Sequence, residues 1–223
     1  MHRIRFTERE QGGIFMANPS SAGARGSNRS GTVKLTVTAV LTALILVMTF
    51  TPIGYLKVGA IEITFLSIPV AIGAIICGPG AGAFLGAVFG ATSFLQCFTA
   101  PTPFSAALLG ISPLRTAVMC FVPRILAGLL TGLIFTAFRN KKSVLSFTLS
   151  SFSMGFLNTV FFVAALILLF GTKSLAALQL GDTVVAIIST LVTVNALVEW
   201  AACLVIGFAV SKALAVVLKK YMK

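Results

Sequence analysis

GPGAGAFLGAVFGATSFLQCF, residues Gly78 to Phe98, sets Gly82, Gly86 and Gly90 four apart, with Ala83, Ala87 and Ala91 one step behind. On a helix that spacing leaves one face bare of side chains. In hydrocarbon, helices gain nothing by burying apolar groups that lipid already accommodates. They associate by close backbone approach, which small residues at every fourth position allow. The stretch therefore predicts a helix at the centre of a membrane bundle. Gly78, Pro79 and Gly80 end the preceding apolar run and leave almost no loop before it. Packing alone accounts for such glycines, so they mark a seam and not an activity.

Composition widens this reading to the whole chain. Its 223 residues are 57% hydrophobic and 10% charged, with a mean hydropathy of +1.03, which is too apolar for a soluble domain. A membrane span needs about 20 mostly apolar residues. Six fit between Lys34 and Lys212, near 34–53, 62–78, 80–98, 116–138, 144–170 and 184–211. The expected fold class is an all-α membrane protein with six transmembrane helices. Residues 1–32 form a polar tail, 33–218 the six-helix membrane domain and 219–223 a short basic tail.

The net charge of +12 is explained by its placement. Arg3, Arg5, Arg9, Arg25, Arg29 and Lys34 precede the first span, Arg139, Lys141 and Lys142 follow the fourth, and Lys212, Lys219, Lys220 and Lys223 close the chain. Only Lys57, Arg115 and Lys173 fall on the other side, so both termini are expected in the cytoplasm of a multi-pass cell-membrane protein. A nucleic-acid role is excluded, because a basic patch needs a soluble face to occupy. Cys77, Cys97, Cys120 and Cys203 show no CxxC spacing and read as small buried hydrophobes.

The first 32 residues are rich in Gly, Ser, Asn and Arg without an apolar period, so disorder is expected there. No apolar core follows the early arginines at the distance a secretory signal requires, and Met16 is an alternative start. The first span carries Ala39 and Ala43 four apart beside Thr38 and Thr42. That second small-residue face serves either internal packing or docking to another membrane protein. Residues 51–62 make an outer loop that orders over a ligand or simply turns the chain. Pro69 is expected to kink the second span. Residues 99–115 read as a long structureless loop, which is more often functional than idle, and on this topology it is a candidate lid.

Four polar residues lie within later spans. Arg124 follows Pro123, about nine residues or on the order of 14 Å of helix below the outer end. A guanidinium so deep faces a wet cavity or pairs, either with a ligand, with Glu199 or with a helix-end carbonyl. Asn158 sits at mid-depth among Phe152, Phe156, Phe161 and Phe162, and Asn195 and Glu199 share one face of the last span, with Trp200 about 100° round. Arg124, Asn158, Asn195 and Glu199 are expected to meet at one depth, with Gln96 on the rim and Thr92 and Ser93 further in.

Absences narrow the chemistry. There is no GxxxxGK[ST], so ATP is not bound by a P-loop. His2 is the only histidine, and Glu199 is the only acidic residue within a span, which removes paired-carboxylate and metal-dependent hydrolysis. No enzyme activity, metal or cofactor is expected. A proton-coupled carrier would show inverted repeats and more buried titratable groups. A membrane scaffold or small channel remains the competing class, distinguished by a dry interior or an open pore.

Several segments together resemble the substrate-capturing S component of energy-coupling factor (ECF) transporters. They are AVLTA (Ala39–Ala43), ITFLSIPVAIGAIICGPGAGAFLGAVFG (Ile63–Gly90) and VPRILAGLLTGLIF (Val122–Phe135) in a chain of six spans. ITFLSIPV, ATSFLQ and PRI look most like the pantothenate-type members. The resemblance implies a subunit that takes a vitamin from outside, docks through Ala39 and Ala43 on a membrane scaffold subunit bearing two ATPases, and reorients to release the vitamin inside. Pantothenate offers a carboxylate, an amide and hydroxyls. Arg124 suits the carboxylate, with Arg115 or Lys57 as substitutes if Arg124 is tied to Glu199, and Asn158, Asn195 and Gln96 suit the rest. An unpaired Glu199 facing the ligand would instead favour a pyridoxine-type vitamin; riboflavin is another S-component ligand.

Overall fold

The structure, a computed structural model, describes residues 20–51, 54–58, 61–139, 143–177 and 194–218, without the side chains of 20–30, 55–63, 143, 172–195 and 218. Helix α1 (Ser20–Thr49) leads into a hairpin of β1 (Tyr55–Val58) and β2 (Ile61–Thr64), followed by α2 (Ser67–Cys77) and α3 (Pro79–Thr99). Helices α4 (Pro103–Ile111), α5 (Pro113–Phe138) and α6 (Ser143–Ala177) come next. The described chain ends in α7 (Val194–Ala202), a π-helical turn (Cys203–Gly207) and α8 (Phe208–Leu218), which run on as one rod.

Among the described residues, five helices are long and apolar enough to cross a membrane: Gly31–Thr49, Pro79–Thr99, Pro113–Phe138, Val144–Gly171 and Ala196–Val217. Helix α1 begins at Ser20, inside the polar segment read as disordered. Residues 184–193, assigned above to the last span, lie outside the described residues.

The second expected span is the main departure. Residues 61–64 pair with 55–58 in an antiparallel hairpin, Tyr55 opposite Thr64 and Val58 opposite Ile61, so the helix starts only at Ser67 and has 11 residues. At 1.5 Å per residue that is about 17 Å, short of the roughly 30 Å hydrocarbon core. Pro69 falls in its first turn, where no intrahelical donor is needed, so no kink results. Every residue from Ser67 to Ile75 is buried. A helix apolar all round belongs inside the bundle, and α2, not α3, is the central helix. Leu41 and Ile45 of α1, Leu85 and Phe89 of α3, Met154 of α6 and Cys203 close around Val70, Ala71 and Ile72.

The glycine stripe of α3 forms a seam with α5. A methyl group at Gly82 would stand 2.3 Å from the Gly128 carbonyl oxygen, at Gly86 2.3 Å from that of Arg124 and at Gly90 2.9 Å from that of Cys120. The α5 glycines reciprocate, Gly128 against the Gly82 carbonyl at 2.2 Å and Gly132 against Pro79 Cα at 2.5 Å. As the α3 number rises the α5 number falls, so the two backbones touch antiparallel along this length. Gly78, at φ 102°, makes the turn between α2 and α3 that other residues rarely adopt.

The expected structureless loop after Phe98 contains helix α4. Thr102 Oγ1 accepts from the Ser105 backbone N–H (3.2 Å), Ser105 Oγ accepts from the Thr102 N–H (2.9 Å), and Pro103 occupies the first helical position. This reciprocal capping satisfies donors that a helix start otherwise leaves open. Leu108 anchors α4 against Met119, Leu166 and Phe170.

Candidate functional site

Beyond Gly90 the α3–α5 seam opens into a cavity of about 110 Å³. Its walls are Ser93, Gln96 and Cys97 of α3, Thr102 with Phe104, Ser105 and Leu108 of α4, Thr116, Met119, Cys120 and Arg124 of α5, and Phe162 of α6. Sequence reasoning singled out Gln96, Ser93, Arg124 and Phe162 of these; it missed Thr116 and the hydroxyls of Thr102 and Ser105, whose signal was the Thr-Pro-x-Ser spacing of the α4 cap.

Arg124 is oriented by its neighbour. Pro123 has no N–H, so the Met119 carbonyl one turn earlier loses its usual helical donor. Arg124 Nη1 donates to Met119 O at 3.1 Å and to Cys120 O at 3.0 Å. The guanidinium carbon lies 5.0 Å from the ring centre of Phe89 and 5.6 Å from that of Phe162, both within cation–π range. Its Nε is buried and has no hydrogen-bond partner among the described residues. Arg124 is thus held by its own helix carbonyls, and a donor remains to be satisfied beside the cavity.

Glu199 takes other partners. The Ser67 hydroxyl and Asn158 Nδ2 both donate to Glu199 Oε1, the latter at 3.2 Å. The carboxyl and the amide are 6% exposed each, so this knot of α2, α6 and α7 is almost closed to solvent. Asn158 Oδ1 is buried without a donor among the described residues. The four residues expected at one depth therefore divide. Arg124 faces the cavity and Asn158 joins Glu199 behind it, while the Asn195 side chain lies outside the described residues. Phe162 links the two groups, being one helical turn beyond Asn158 on the same face of α6.

Gln96 Nε2 donates to Thr49 O at 2.8 Å, tying the end of α1 to the cavity wall. The other aromatics of α6 lie elsewhere: Phe152 and Phe156 pack edge-on against Trp200, whose Nε1 donates to Thr159 Oγ1 at 3.1 Å. Ala39 and Ala43 are both exposed on α1, on the side opposite the buried Leu41 and Ile45, so they are not an internal packing face of this chain. Thr38 and Thr42 bond back to the carbonyls of Lys34 and Thr38, each at 2.9 Å. Among the described residues no three His, Cys, Asp or Glu side chains gather as a metal site.

Comparison with known proteins agrees with this architecture. The family described as ECF transporter, substrate-specific component, matches residues 33–211. A pantothenate transporter (PanT) of Leuconostoc mesenteroides is 30% identical over 128 residues, which cover 55% of this chain and 59% of that protein. A pantothenic acid transporter (PanT) of Lactococcus lactis subsp. cremoris is 32% identical over 155 residues, covering 61% of this chain and 78% of that protein. The chain thus spans less than two thirds of the length of the first of these relatives. With a family match over most of its length and a bundle of helices five of which, among the described residues, are long and apolar enough to cross a membrane, the chain belongs to the substrate-specific components of ECF transporters.

Proposed function

We propose that this chain captures pantothenate from outside the bacterial cell membrane, docks on a membrane scaffold subunit that carries two ATPases, and delivers the vitamin inward. The observation that carries the reading is the unpartnered Arg124 Nε beside a cavity with several neutral hydrogen-bonding side chains. A carboxylate satisfies that donor with a charge-assisted bond, and the hydroxyls and amide of pantothenate suit Ser93, Gln96, Thr102 and Thr116. Asn158 Oδ1 is a second buried atom without a donor among the described residues; it lies behind the cavity and comes within a ligand's reach only once the cavity widens on opening. Asn195, four residues before Glu199 in the sequence, is kept as a further binding candidate. Glu199 already accepts hydrogen bonds from Ser67 and Asn158 and does not line the cavity, so it is committed to protein partners and not offered to a ligand, which favours pantothenate over the pyridoxine-type alternative.

The cavity is smaller than the roughly 300–1,000 Å³ of ordinary ligand pockets. Entry of the vitamin therefore requires α4 to swing outward on its short connections, with the 55–64 hairpin as the neighbouring cover. Although α2 alone is shorter than the hydrocarbon core, it is enclosed by protein and not lipid, and it carries the chain back through the bundle as a sixth, short crossing to the side where it began. Both termini are then cytoplasmic, in keeping with the basic residues at each end. The outward small-residue face at Ala39 and Ala43 is the docking surface. Without a P-loop, energy for transport comes from the partner ATPases.

The test is to purify the chain in mild detergent and identify the co-purifying small molecule by mass spectrometry. Pantothenate is the expected ligand; a different vitamin, present in equal amount with the protein, would replace the substrate assignment.

A further inference from the structure

Pro123 stands inside α5, buried, where a proline gives up one helical hydrogen bond and ordinarily weakens the helix. In a membrane protein such a gap is tolerated when another group fills it. Here the filler is the next side chain along: Arg124 Nη1 donates to Met119 O, the acceptor left open, at 3.1 Å and to Cys120 O at 3.0 Å. The Cys120 carbonyl is itself turned to α3, with its oxygen 2.9 Å from where a methyl group on Gly90 would stand, so the seam fixes one end of this tether. The rings of Phe89 and Phe162 flank the guanidinium at 5.0 and 5.6 Å. Nη1 is thereby committed to the helix. Nε, in the same rigid plane, is buried without a hydrogen-bond partner among the described residues, in a side chain that lines the cavity.

We infer that Pro123 is a positioning residue that sets the site's preference for a carboxylate: by withholding one N–H it draws the Arg124 guanidinium back onto α5 and holds Nε ready for an anionic group. An N–H at position 123 would donate to Met119 O along the helix, and the straightened turn would take that carbonyl away from Arg124 Nη1. A long side chain released from its tether regains rotamer freedom, so Nε would spend less time in the orientation an anion needs. The proline thus gives up helix stability for a fixed donor. A purely structural proline shapes α5 and acts on every ligand alike. The positioning role runs through the charge of Arg124 and touches only ligands that carry a carboxylate. The tether belongs to the chain itself, whereas its consequence for selectivity rests on the pantothenate reading above.

The experiment compares the detergent-solubilised full chain with Pro123→Ala and with Pro123→Ser, whose hydroxyl also reaches back to the Met119 carbonyl. Without ligand, peptide mass spectrometry follows how fast the arginine reagent phenylglyoxal modifies Arg124. With ligand, calorimetry gives the affinity for pantothenate and for pantothenyl alcohol, in which a hydroxymethyl group replaces the carboxylate. Both variants should show faster modification of Arg124 and about tenfold weaker pantothenate binding, the scale of one hydrogen bond, with affinity for the alcohol unchanged. In an Arg124→Ala background, Pro123→Ala should alter neither affinity. An unchanged modification rate overturns the proposal, as does equal loss of both ligands or a Pro123→Ala effect that persists without Arg124. A parent chain that binds neither ligand counts against the substrate assignment, and the modification rate alone then decides the tether.

Discussion

Helices α3 and α5 meet in two ways along one pair of axes. Between Pro79 and Gly90 they touch backbone to backbone, with carbonyl oxygens of Gly128, Arg124 and Cys120 where side chains would stand. Above Gly90 the residues become Ser93, Gln96 and Cys97 facing Thr116 and Cys120, and the same helices part around a cavity. Residue size decides which occurs: glycine draws the axes together, and one or two turns later larger polar groups hold them apart. Arg124 belongs to both regions, its backbone carbonyl pressed on Gly86 and its guanidinium lining the cavity. The closed half is the anvil that fixes the open half.

The comparison can be broken most severely in the seam. Gly86→Leu would drive a side chain into the Arg124 carbonyl, and a destabilisation of about 3 kcal/mol is expected from overpacking against backbone. Thermal unfolding in detergent should show a large fall in midpoint, while Gly110→Ala, with open space around it, should stay within about 0.5 kcal/mol of the parent. A tolerated leucine at 86 would mean the seam is not tight.

Docking is next in effect. Ala39→Trp or Ala43→Trp should abolish vitamin uptake by cells expressing the full transporter, yet leave pantothenate binding by the isolated chain intact. Equal loss of both would place these alanines in folding or in the site.

In the open half, Arg124→Ala should weaken pantothenate binding by more than about 1.5 kcal/mol, the value of a charge-assisted hydrogen bond, as measured by calorimetry. Arg124→Lys should restore only part of it, since a single ammonium nitrogen lacks the guanidinium's separated nitrogens, by which Nη1 holds the carbonyls while Nε stays available to a carboxylate. The smallest effect is expected at the cover: Thr102→Val removes the α4 cap, costing about 1 kcal/mol locally. Hydrogen exchange over 103–111 should quicken while the midpoint of global unfolding barely moves.

The seam was legible in the sequence because its cause is local: glycines four apart make a bare face whatever lies opposite. Its partner was not, since a small-residue face specifies closeness and not identity, and the matching Gly128 and Gly132 are only seen as such once α5 is placed. Helix α2 was misjudged because an apolar run of 62–78 reads alike as a span or as a strand followed by a buried helix; pairing with Tyr55–Val58 decides it. Arg124 was found by its depth. Its anchoring was missed although Pro123 beside it already implied an open carbonyl at Met119. Asn158 and Glu199 were expected near one another and are hydrogen-bonded, but that neither of them lines the cavity depends on helix rotation, which spacing within single helices does not define.

The central claim, that the cavity beside Arg124 holds the vitamin, is tested most directly by native mass spectrometry of the detergent-solubilised chain with added pantothenate. One pantothenate per chain is predicted for the parent and for Gly110→Ala, with the bound species lost in Arg124→Ala. Undiminished pantothenate on the Arg124→Ala protein would contradict it.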